Sequence, residues 1–204
     1  MRGGNSSGWN PPGYGYFGDV PLLTREEFDA IEFEAALTGD HEAAAERMNE
    51  LAHTGVQTES MARAEAFVRA GEQWLLADNP DRAAYGFRMA IADGGPVDVD
   101  PRVSLCRALF QLGNRDEAYA LIGQLGSEGR TDARACDMIT ELLVEQSDLQ
   151  AALDWATAGV KLWVTAHADP ASAESGLRDL LRLRYRIRND LRLPEDEYDR
   201  MIGT

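Results

Sequence analysis

From Leu22 onward, apolar residues recur at three- and four-residue spacing through long segments. That spacing puts one apolar stripe on a helix, so the chain reads as a series of amphipathic helices. The punctuation repeats with them. Thr24 followed by Glu27, Asn114 by Glu117 and Ser147 by Gln150 have capping-box spacing. Asn79-Pro80, Asp100-Pro101 and Asp169-Pro170 each place a capping side chain before a proline suited to the first helical turn. Gly39, Gly94 and Gly113 sit where helices should stop. The stretch Leu181–Arg188 also alternates with period two, but its length and flanks favour helix. The pattern predicts an all-α protein of about eight to ten helices joined by short turns.

The helices also repeat in pairs. Starting at Phe28, Phe67, Arg102 and Cys136, the same offsets of three, four, seven, sixteen, twenty and twenty-three fall mostly on apolar residues or glycine. The second segment shows it best, with Phe67, Ala70, Gly71, Trp74, Ala83, Phe87 and Ala90. At offset sixteen stand Ala44, Ala83, Ala118 and Ala152. A small residue there lets two antiparallel helices approach closely. The turn Leu-Gly-Asn-Arg-Asp-Glu-Ala at Leu112–Ala118 has the same logic.

With these residues, Thr24 to Trp163 resembles the tetratricopeptide repeat family. Glu32 and Thr140 stand where that family has glycine, and Arg102 where it has a large apolar residue. The resemblance implies a right-handed superhelix of antiparallel helix pairs, an α-solenoid over residues 22–168. Each pair buries its apolar face against the next, and the last pair needs a cap. Residues 169–204 supply one, with the stripe Leu177, Leu180, Ile187 and Leu191. Residues 1–21 form a separate Gly/Pro-rich segment without helical period, yet they carry Trp9, Tyr14, Tyr16 and Phe17. Four aromatics in such a segment point to a binding element that folds over a groove of its own chain or joins a second copy.

Charge narrows the functional classes. The 204 residues carry a net charge of −15, which disfavours nucleic acid and anionic membranes as partners. Lys161 is the one lysine among 20 basic residues, a skew expected of high-GC bacterial genomes. No apolar run is long enough to span a membrane, and the N-terminus has no apolar signal core. A cytoplasmic protein is the expectation. His41 and His53 lie twelve residues apart, about 18 Å along a helix, and cannot share one metal. There is no phosphate loop, catalytic constellation, metal site or cofactor fingerprint. Cys106 and Cys136 read as buried, reduced core thiols.

The chain therefore reads as a non-enzymatic module binding a protein or peptide. In the family the first helix of each pair lines the concave face, which the resemblance places at Asp29, Phe33, Val68, Arg69, Glu72, Leu75, Val103, Arg107, Phe110, Asp137, Met138 and Glu141. Some relatives clamp a peptide's carboxylates with Lys and Asn there; Asp29 and Phe33 stand at two of those places, so that activity is not implied. A mixed acidic and apolar groove suits a basic or amphipathic partner. The cap differs: Arg178, Arg182, Arg184, Arg186, Arg188 and Arg192 give Leu177–Leu193 a net +4 against −16 for residues 1–176. They form a candidate basic interaction face, for an acidic partner, the acidic surface of a second copy, or nucleic acid. If they instead pair with the acidic repeats at the surface, Arg184→Ala alone should matter little. A second reading is a regulatory module of a bacterial transcription system working with a separate DNA-binding chain. It rests on a faint likeness of Arg188–Ile202 to the ends of activator domains.

Overall fold

The computed structural model describes residues 16–17, 20–129, 132–166 and 175–203. Nine α-helices dominate them: α1 (Arg25–Thr38), α2 (His41–Thr54), α3 (Arg63–Leu76), α4 (Pro80–Asp93), α5 (Pro101–Gln111), α6 (Arg115–Glu128), α7 (Ala133–Glu145), α8 (Leu149–Ala166) and α9 (Ser175–Asp190). A 3-10 helix, Asp199–Gly203, closes the chain. Among the described residues no helix is long and apolar enough to cross a membrane. Leu181–Arg188 is helical, as its flanks indicated.

The caps follow the sequence with two exceptions. Thr24, Asp40, Asn79, Asp100 and Asp132 each accept a bond from a backbone N–H of the first turn. Asn114 makes no such side-chain bond. At α8 the cap is Asp148, which accepts from Ala151 N–H at 3.3 Å, rather than Ser147. Ser147 is instead the left-handed turn residue, with φ of 62°. Asp169-Pro170 and the aromatics Trp9 and Tyr14 lie outside the described residues.

The repeat is visible in backbone geometry. Gly39, Asp78, Gly113 and Ser147 all have positive φ, and all stand eleven residues after the repeat starts. The chain thus leaves every first helix by the same left-handed turn. Of the positions at offsets zero, three and seven, all are buried except Arg102. Arg102 is held by Asp100 at 2.6 Å and Glu128 at 2.8 Å. Ala83, Ala118 and Ala152 have no exposed surface, and Ala44 almost none. In the second pair, a Cβ on Gly71 would stand 2.6 Å from the Phe87 ring, so glycine sets the α3–α4 distance. Consecutive helices pack on one another from α1 to α6 and from α7 to α9. The first helices also touch: α1 with α3, α3 with α5, and α5 with α7.

Two features depart from expectation. Tyr16–Phe17 pairs antiparallel with Val20–Pro21 inside the segment that lacks helical period. That hairpin is fastened to the repeats, because Val56 N–H donates to Pro21 O and Leu23 N–H to Val56 O. The second concerns α9. Its buried residues Leu177, Leu180, Leu181 and Arg184 stand at offsets zero, three, four and seven, the register of the first helices. The cap is a fifth first helix, packed on Ala156 and Val160 of α8.

At the last of those offsets stands Arg184, 2% exposed. It donates to Thr157 Oγ1 at 3.0 Å and to Asp199 at 3.0 Å, and also pairs with Asp196. Arg188 joins through Asp199 at 2.9 Å. The expectation that these arginines pair at the surface with the repeats is corrected: their partners come from the C-terminal segment, and the cluster is internal. Removing one partner of a buried pair strands the other charge. Arg184→Ala should therefore cost about 3 kcal/mol of unfolding free energy, read by chemical denaturation; Arg182→Ala, at an exposed pair, should change stability by under about 1 kcal/mol.

Candidate functional site

The first helices present one shared face. Arg69, on α3 and nearly buried, reaches back to α1, bonding Glu32 at 2.5 Å and Asp29 at 2.7 Å. Glu72 lies one turn further along α3. Surrounding protein raises its pKa by desolvation, and the fields of Glu32 and Glu65 add to that, against smaller opposing effects of Arg134 and Arg69. Arg107 of α5 lies 4.0 Å from Glu141 of α7. Asp137 is pushed up to about 6, first by burial, then by Glu141 and by Asp179 of α9. Side chains from α1, α3, α5, α7 and α9 thus act on one another along a single surface.

Residues at offset five, Phe33, Glu72, Arg107 and Glu141, are exposed or half-exposed. So are those at offset nine, Leu37, Leu76, Gln111 and Glu145. Phe33, Leu37 and Leu76 stand out, at 66%, 72% and 62% exposed. Offset one behaves differently. Asp29 is exposed and Asp137 half-buried, but Val68 is buried and Val103 has no exposed surface. Placing Val68 and Val103 in an open groove is corrected: both are buried in the core. Leu75, Phe110 and Met138 are half-buried and packed against the core. The Phe110 ring meets Tyr119 edge-on at 5.5 Å.

The cap arginines divide. Arg178, Arg182, Arg186 and Arg192 are exposed; Arg184 and Arg188 turn inward as described. Sequence reasoning missed Glu32 and Asp179 as members of the face. Glu32 was detectable as a carboxylate at an offset that is buried in the other repeats. No group of His, Cys, Asp or Glu among the described residues is arranged to hold a metal ion. His41 Nδ1 lies 2.9 Å from Gln73 Oε1, and His53 lies against Phe67 and Tyr85. Comparison with protein families, curated proteins and solved structures finds no match.

The cysteines are buried free thiols away from this face. Burial pushes Cys106 up to about 12 and Cys136 up to about 11. A thiol reagent should label both slowly in the native protein at pH 8 and quickly after denaturation; fast native labelling of either contradicts this placement. For Asp137 the sign is that of a raised carboxyl. Its charged form destabilises the fold above pH about 6, and the cost disappears as pH falls towards the unfolded value of 3.8. Asp137→Asn should thus raise stability at pH 8 by on the order of 1 kcal/mol, allowing for solvent screening, and leave it unchanged near pH 4, as read by thermal melts at both pH values.

Proposed function

We propose that the chain is a non-enzymatic interaction module, a tetratricopeptide-like right-handed stack whose first-helix face is concave and holds a basic, amphipathic protein segment. The observation that carries this reading is Asp137. A carboxylate kept half-buried beside Glu141 and Asp179 weakens the free protein, and such a cost is characteristic of a binding site. A cationic side chain supplied by a partner would relieve it. Leu37 and Leu76, exposed further along the same face, offer the apolar contact an amphipathic segment needs.

The test is fluorescence anisotropy with basic, neutral and acidic versions of one amphipathic peptide. The basic version should bind tightest, and added salt should weaken it. Lowering pH through about 6 should weaken it further as Asp137 takes up its proton. Glu72→Gln with Asp137→Asn should remove the preference for the basic version. Equal affinity for all three peptides, or a preference for the acidic one, overturns the proposal.

A further inference from the structure

The first-helix face changes character along its length. Because α9 lies in first-helix register, its residues at offsets one, five and nine extend the face. They are Arg178, Arg182 and Arg186, all exposed. Beside them is an open recess of about 540 Å³ lined by Tyr185, Ile202, Arg182, Arg186 and Asp179. At the opposite end, α1 and α3 place Phe33, Leu37 and Leu76 at these offsets. Between the two, α7 supplies Asp137, Glu141 and Glu145. Asp29 and Glu72 share those offsets on α1 and α3, and α5 adds Arg107 and Gln111, so the face runs from mixed apolar and acidic through wholly acidic on α7 to wholly basic on α9.

We propose that this face reads the order of blocks in its partner: an apolar block on α1 and α3, a cationic block on α7 and an anionic block on α9. The idea rests on the groove reading above and adds its polarity. Three consecutive blocks of different chemistry cannot all be satisfied when the order is cyclically permuted, because the permuted orders set an anionic block against the carboxylates of α7 or of α1 and α3, or a cationic block against the arginines of α9. Register then comes from charge and apolar contact jointly. Among the described residues, Asp179 stands beside these exposed arginines, in an exposed pair with Arg182 at 3.3 Å, which competes weakly with an incoming carboxylate. Their inward companions Arg184 and Arg188 are spent on Asp196 and Asp199 and hold the helix in place. The aromatic ring and isoleucine in the recess provide an apolar floor beneath the charges, which suits an acidic segment carrying an occasional apolar side chain.

The probes are three synthetic peptides of one composition, built from a Leu/Phe block, a Lys block and a Glu block in different orders. Anisotropy should show that the order apolar–cationic–anionic binds at least about tenfold tighter than anionic–apolar–cationic or cationic–anionic–apolar. Arg182→Glu with Arg186→Glu, both at exposed positions, should remove that advantage. The same double variant should leave unchanged the affinity of a shorter peptide lacking the Glu block. A photo-crosslinker in the Glu block should mark α9, and one in the Leu/Phe block should mark α1 or α3. Equal binding of all three orders, or a Glu block crosslinked to α1, overturns the polarity while leaving the groove itself standing. Failure of every Lys-bearing peptide to bind overturns both.

Discussion

How closely two helices may cross is the constraint on which the rest of this structure depends. In each repeat a small alanine stands sixteen residues after the start, and Ala83, Ala118 and Ala152 have no exposed surface, while in the second pair Gly71 against the Phe87 ring also limits the α3–α4 distance. Close approach of second helices brings the apolar rows into register, and register makes the first helices neighbours. Only then do residues separated by dozens of positions, such as Arg69 and Asp29 or Arg107 and Glu141, come within reach. The charged face is a by-product of core packing. Its exposed members at offsets five and nine can change with little effect on the fold, whereas buried Arg69 and half-buried Asp137 also bear on stability.

The same separation explains what could be read from the sequence. The apolar offsets identified the helices, their pairing and most buried positions, because burial follows period and period is local. Caps were legible where the side chain alone decides them, as at Thr24, Asn79 and Asp100. At Ser147 the guess failed, since that residue is used by the turn and Asp148 takes over the cap. Val103 was misplaced for a tertiary reason: whether an apolar residue at the edge of a face is covered depends on the neighbouring helix. The segment of α9 reads as a helix with a buried leucine stripe, and it is one. Its true role as a fifth first helix was hidden by Arg184, which occupies an apolar offset and looks like a surface residue until Asp196 and Asp199 are folded onto it.

Opposite charges in this chain are used in two distinct ways. On the first-helix face like charges are crowded, so the free protein holds some of them at a cost. In the C-terminal cluster unlike charges are gathered and nearly sealed from water, with Arg184 and Asp199 both close to zero exposure. The burden of desolvating that pair is offset by multiple hydrogen bonds, since Thr157 and Arg188 share the network. The first arrangement is open to an incoming charge; the second has no valence left for one.

That cluster also fixes what can be laid against α9 on its C-terminal side. Asp196 and Asp199 follow the helix immediately in the chain and pair with Arg184 and Arg188. A helix packed in their place would have to displace both carboxylates and leave two guanidinium groups buried alone. That side of α9 is held by charge together with the apolar contact of Tyr198 and Met201.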